Sequence, residues 1–158
     1  MTRALKLPAL DPMSVTPRRG SSYPAPFREP VEGRVKQALG DPLGLTDFGV
    51  NLVRLEPGAW SSQRHWHSHE DEFLLVLEGD LALVTDEGET ALSPGLAAGF
   101  PAGAENGHHL VNRGETAATY LEIGDRRPQD EARYPDIDLM AKSGPDGRVF
   151  TNKKGEPY

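Results

Sequence analysis

The chain has five histidines, and they fall in two places. His65, His67 and His69 alternate in the run R-H-W-H-S-H-E-D-E, which also carries Glu72. His108 and His109 stand side by side further along. Imidazoles and a carboxylate are nitrogen and oxygen donors that suit a divalent transition metal. On a strand, residues two apart point to the same side, so His65 and His67 project together. A turn then leads to Glu72 at the head of a next strand. If that strand pairs antiparallel with the first, a carboxylate oxygen comes close to the two imidazoles. Two imidazoles and one carboxylate are a sufficient facial set, and His108 or His109 from a distant strand would add a fourth donor.

Positioning such a set takes sheet, and the pattern supplies it. Segments 48–55, 62–67, 72–77, 81–85, 90–92, 97–100, 108–112 and 117–123 are short and rich in strand-forming residues. Pro57-Gly58, Gly79-Asp80, the run 86–89, Pro94-Gly95 and the run 113–115 punctuate them as turns. No segment between them has a helical period, which predicts an all-β sandwich or barrel. In 72–77, Phe73, Leu75 and Leu77 share one face and Glu72, Leu74 and Val76 the other. That pattern predicts burial on both sides.

The flanks differ. Residues 1–44 are predicted as an extended arm. Six prolines within the first thirty positions forbid a helix, and Tyr23 and Phe27 are its expected anchors. Residues 31–39 fit a short strand or a helical turn. Residues 45–124 form the predicted barrel. Residues 125–158 are charged and broken by prolines, a tail expected to pack on the barrel through Ile137, Leu139, Val149 and Phe150.

Composition narrows the function. A formal charge of −7 disfavours nucleic acid and anionic membrane as partners. The absence of cysteine removes disulfides, thiolate metal sites and cysteine nucleophiles. Residues 1–10 carry two basic side chains and no long apolar core, so no export signal is expected and the cytoplasm is the default. With 17 glycines and 14 prolines, the composition suits a chain of many turns.

The two histidine clusters and their glycines resemble the motifs of the cupin superfamily. The first motif is matched by Gly58, His65, His67, Glu72 and Gly79. One residue more than usual stands between Gly58 and His65. The second is matched by Gly95, Pro101, Gly103, His108 and Asn112, with a two-residue insertion before His108. The resemblance implies a double-stranded β-helix, the jelly-roll barrel. It also implies His65, His67, Glu72 and His108 as ligands of one divalent ion, of the Mn, Fe, Ni or Zn type. Three neutral imidazoles, one carboxylate and a dication sum locally to about +1, which attracts an anionic or oxygen-bearing small molecule.

The other polar residues have blander readings. His69 shares parity with His67 but sits closer to Glu72 along the chain, and it is expected at the rim, as is His109. Trp60 and Trp66 are expected to pack, and Arg64, Asn51 and Asn106 are weak candidates for orienting a ligand. The leading expectation is a metal-dependent enzyme on a small carbohydrate-like or carboxylate molecule, by oxygenase, isomerase or lyase chemistry. The alternatives are a non-catalytic binding or sensing barrel and a structural module with an empty site. A homodimer is expected, because the doubly apolar strand and the arm need cover.

Overall fold

The computed structural model describes residues 5–158; the first four residues of the predicted arm lie outside them. Thirteen strands and three single 3-10 turns form among these residues, and no α-helix. The arm gives β1 (Arg18–Arg19) and β2 (Arg34–Ala38). Then come β3 (Phe48–Leu55), β4 (Trp66–His67), β5 (Glu72–Glu78), β6 (Leu81–Thr85), β7 (Gly88–Leu92) and β8 (Ala97–Phe100). β9 (His109–Val111) and β10 (Ala118–Asp125) follow, and the tail adds β11 (Glu131–Arg133), β12 (Met140–Gly144) and β13 (Gly147–Thr151). The sheets order as β1-β2-β3-β10-β5-β8, β13-β12-β11-β4 and β7-β6-β9. The architecture is the all-β jelly-roll barrel that the motifs imply.

Two apolar cores hold it. Val53, Leu55, Leu74, Val76, Leu110 and Tyr120 lead the first, where the six-stranded sheet meets β6, β7 and β9. The second joins Tyr23 and Val31 of the arm to Ala132, Tyr134, Leu139 and Ala141 of the tail. The prolines do not leave the arm loose. They start three 3-10 turns, at Pro12–Ser14, Ala25–Phe27 and Glu29–Val31, where a fixed φ and a missing N–H cost nothing. Tyr23 anchors the arm as expected, edge-on to Tyr134, and Phe27 packs against the same core. Of the expected tail anchors, Leu139 is fully buried and Ile137 and Phe150 pack on the core, whereas Val149 is 49% exposed. Alternation on β13 puts Phe150 inward and so sends Val149 out.

Two expectations about the central stretch are corrected. Segment 62–67 does not pair with 72–77 as a hairpin. Only Trp66–His67 is a strand, and it pairs with β11 of the tail, while β5 lies between β10 and β8. The four residues between His67 and Glu72 turn a corner between sheets. Ser68 N–H donates to the Glu131 carbonyl, His69 N–H donates to Asp130, and Asp71 accepts from Ala102 N–H. Nor is β5 buried on both faces: Leu74 and Val76 are buried, but Phe73 is 42% and Leu77 47% exposed. The inward parity of Leu74 and Val76 sends the Glu72 side chain into the barrel.

The motif glycines have a physical cause at the turns. Gly79 has φ +72°, and a Cβ there would lie 2.9 Å from Cβ of Ala118. Only glycine lets the β5–β6 turn close against β10.

Candidate metal centre

The site lies where the two cores meet. His67 belongs to the tail's sheet through its pairing with Ala132, while Glu72 heads a barrel strand. His65 is joined to His108 by an isolated antiparallel bridge, with both backbone N–H groups donating across it. The structure therefore brings His65 and His67, Glu72 and His108 together from three separate segments of the chain. The ring centroids of His65 lie 4.9 Å from His67 and 5.0 Å from His108.

All three imidazoles turn Nε2 towards the Glu72 carboxylate. The distances are 3.8 Å from His65, 3.4 Å from His67 and 2.7 Å from His108. Each ring is held in a different way. His65 Nδ1 lies 2.8 Å from the Gln63 carbonyl, so the N–H donates there and the Nε2 lone pair faces inward. His67 Nδ1 donates to Asp130 Oδ2 at 2.6 Å, across most of the barrel sequence. His108 Nδ1 is buried with no hydrogen-bond partner, and its ring instead stacks on Phe100 at 3.5 Å between centroids.

The donor set fits a divalent ion. Two bonds of about 2.1 Å at right angles put their donor atoms about 3 Å apart. The gaps between Glu72 and the histidines span that value. Two of the imidazoles have their outer nitrogen engaged by a carbonyl or carboxylate, the arrangement that fixes a ligating tautomer.

The electrostatics agree. Burial pushes His65 down to about 3, with His67 and His108 adding to the effect and Glu72 opposing it, so this ring is neutral. Burial also works against charge on His67, but its hydrogen bonds to Asp130 and Glu72 prevail and push it up to about 9. Asp130 is correspondingly held down at about 2, its burial outweighed by His67 and the His69 N–H. Burial raises Glu72, yet the hydrogen bonds from His108 and His67 hold it well below the usual carboxylate range. A cation at Nε2 of His67 would displace a proton.

The remaining histidines stand apart. His69 is exposed, at the rim as expected, with Nδ1 against Ser68 Oγ. His109 is not at the rim. It is buried, edge-on to Trp60, and its Nδ1 donates to the Ser62 carbonyl, which steadies the segment leading to His65. Arg64 is bound to Asp136, Asp86 and the Gly107 carbonyl, and Asn106 accepts from Asp86 N–H, so neither faces a ligand. Asn112, the last residue of the second motif, is fully buried and donates to the Leu55 and Thr116 carbonyls. Its place is structural.

One residue escapes the sequence reading, and a second is placed differently from it. Asp130 is 1% exposed and orients His67, but it sits in a charged tail without periodicity. Glu70, in a run of three acids of which two are expected to face solvent or cap, and itself an acid–base candidate near the mouth, is instead buried and accepts from Arg127 N–H. His67, Glu70 and Asp130 are close enough to suggest a second cation site. Arg148 already neutralises it, reaching Glu70 at 3.4 Å and Asp130 at 3.7 Å.

A cavity of about 580 Å³ opens over the cluster. His65, His67 and Glu72 lie on its wall together with Glu122, Tyr134 and Arg34. Glu122 is fixed by Lys36 at 2.7 Å and Asn51 at 3.1 Å. The volume is in the range of small-molecule sites.

The family model for the Cupin domain matches residues 51–124. A crystal structure of a sugar phosphate isomerase from a cupin superfamily, from Silicibacter pomeroyi, is 50% identical with a TM-score of 0.91, over 96% of both chains. A candidate sugar phosphate isomerase from Acidithiobacillus ferrooxidans is 30% identical with a TM-score of 0.71, over 79% of this chain and 80% of that one. A polyketide cyclase from Streptomyces resistomycificus shares the fold at 22% identity and a TM-score of 0.63, over 85% and 87%. No curated protein matches the chain.

Proposed function

Because this chain belongs to the cupin superfamily, we propose that it is a metal-dependent isomerase of a small phosphorylated sugar. The observation that carries the reading is one cavity of about 580 Å³ with His65, His67 and Glu72 on its wall together with the cationic side chains of Arg18, Arg34 and Lys36. The likeness to a sugar phosphate isomerase over 96% of both chains gives the substrate class.

His65, His67, Glu72 and His108 hold a single Mn, Fe, Ni or Zn ion in this reading. When bound, such an ion would supply Lewis-acid polarisation of a substrate carbonyl. The chain supplies the rest. Aldose–ketose interconversion takes a proton from the carbon beside the carbonyl and returns one to the carbonyl carbon, while the proton of the neighbouring hydroxyl passes to the former carbonyl oxygen, with no net gain or loss of atoms. Glu122 is a carboxylate on the cavity wall, held in place by Lys36 and Asn51, and it is the group we assign to carry that proton. The Tyr134 ring, 5.6 Å from His65 between centroids, walls the site against water.

The test is turnover by protein loaded separately with each of the four metals. Aldose and ketose phosphates should interconvert, with deuterium from heavy water entering at the carbon next to the carbonyl, and chelator should stop it. Absence of turnover across all four metals and a panel of sugar phosphates would sink the isomerase reading. Tight binding without turnover would make the barrel a sensing or storage domain.

Phosphorylated sugars do not leave cells freely, so the reading places the protein in the cytoplasm. Among the described residues no helix is long and apolar enough to cross a membrane. The reading also includes a homodimer. Phe73, Ile123 and Val50 form one outward row across β5, β10 and β3, and Leu75, Leu121 and Leu52 form the next. A second copy laid on this face would cover the exposed Phe73 and Leu77. Light scattering should give a dimer at micromolar concentration, and Phe73→Glu a monomer; a monomeric wild type would rule the interface out.

A further inference from the structure

The cations on the cavity wall are not equivalent. Lys36 is spent on Glu122 at 2.7 Å, Arg126 on Asp41 at 2.7 Å, and Arg148 on Glu70 at 3.4 Å. Arg18 and Arg34 also line the cavity, and among the described residues neither meets a carboxylate. Three Arg34 N–H groups go to the carbonyls of Gly20 and Ser61. Carbonyls fix a guanidinium without cancelling its charge, and two of its five donors stay free. The same bonds draw loop 20–22 against the cavity, where Ser21 and Ser22 join the lining.

Register puts these charges on one face. Arg18 lies directly across from Lys36, and Arg34 stands two residues from Lys36 on the same strand. Like charges opposed across strands repel. Glu122 relieves Lys36, but nothing comparable relieves Arg18. In a protein of net charge −7, two guanidiniums that line one cavity without a carboxylate partner are a placed feature.

From this we infer that Arg18 and Arg34, with the hydroxyls of Ser21 and Ser22, form an anion subsite that takes the phosphoryl group. The subsite is built by the N-terminal arm, outside residues 51–124 matched by the family model. It deepens the isomerase reading, on which it rests for the identity of the anion. The sugar end would then face the histidine cluster, with its anionic end against the arm. Guanidinium is suited to this because its planar fork matches phosphate oxygens.

The probe is inorganic phosphate, titrated calorimetrically into the full chain at constant ionic strength, with and without bound metal. The variant is Arg18→Gln, since Arg18 is exposed and makes no bond that the fold needs; the control is Arg19→Gln. Arg19 follows Arg18 on β1, pairs with Val35 of β2 and does not line the cavity. Arg18→Gln should weaken phosphate about tenfold or more, as expected for a lost charge-assisted bond, and raise KM for the sugar phosphate with kcat little changed. Arg19→Gln should leave both as in wild type. Equal losses in the two variants, no phosphate binding by wild type, or phosphate binding that depends on metal but not on Arg18 would each overturn the subsite. Turnover of sugar phosphates with unchanged KM in Arg18→Gln would overturn the subsite alone. Arg18-dependent phosphate binding without turnover would overturn the isomerase reading alone.

Discussion

The two cores of this protein are built on different principles. The barrel core draws its members from residues 53–120, on strands whose alternation sends one face inward. The terminal core joins residues 23 and 31 to residues 132–141, bringing together segments that share no periodicity and lie at opposite ends of the chain. The candidate metal cluster straddles them: Glu72 is aimed by the first core and His67 by the second. A ligand set confined to one core would need only the barrel. Here the candidate ligands all come from the barrel segment, but the tail pairs with His67 and orients it through Asp130, so the flanks support the candidate site.

The comparison can be broken most directly at His67, the candidate ligand shared between the two cores. His67→Ala should lose nearly all metal while the fold survives, measured by elemental analysis of protein purified without a histidine tag. Unchanged stoichiometry would mean that the proposed ligand set is wrong. Next in size, Leu139→Ala in the terminal core should destabilise by about 2–5 kcal/mol, as much as Leu55→Ala in the barrel core, because both side chains are fully buried. Denaturant unfolding measures both, and a loss well below this range at Leu139 would reduce the terminal core to an accessory.

Asp130→Asn sharpens the comparison without emptying either core. It keeps the shape but removes the charge behind His67, and metal affinity should fall roughly 10–100-fold. Affinity equal to wild type in competition with a fluorescent chelator would show that the tail does not tune the site.

The smallest effect is a pH dependence of the chelator-treated protein. His67 is raised from 6.5 to about 9, so its share of stability is full below 6.5 and is lost as pH rises through 9. Asp130 is depressed from 3.8 to about 2, so its share is present above 3.8 and is lost as pH falls through 2. The excess Tm of wild type over Asp130→Asn should therefore be widest between these unfolded-state values and shrink towards pH 9. A constant difference from pH 5 to 9 would show that the pair is not ionic.

Much of the barrel was legible because strand alternation and turn glycines are local. β3, β6 and β8 occur where the pattern puts them. Gly79 shows why the motif spacing carries information: its backbone must adopt φ +72° with Ala118 too close for any side chain. The pairing of 62–67 was not legible. A short turn before Glu72 suggests a hairpin, and only the bonds of Ser68 and His69 to the tail show that the chain turns a corner instead. The burial of β5 was overestimated for a related reason. Apolar residues on both faces of a strand are the same letters whether the second face meets a core, a partner or water.

The sequence by itself determined the sheet class, the turns and the residue types able to hold a cation, since these depend on neighbours a few positions apart. The tertiary structure alone decided that Asp130 stands behind His67, that Phe100 steadies His108, and that Arg18 and Arg34 share a cavity with the cluster. Each of these depends on contacts between distant segments. Such contacts are set by how strands register and cores close, and no local pattern in the chain encodes them.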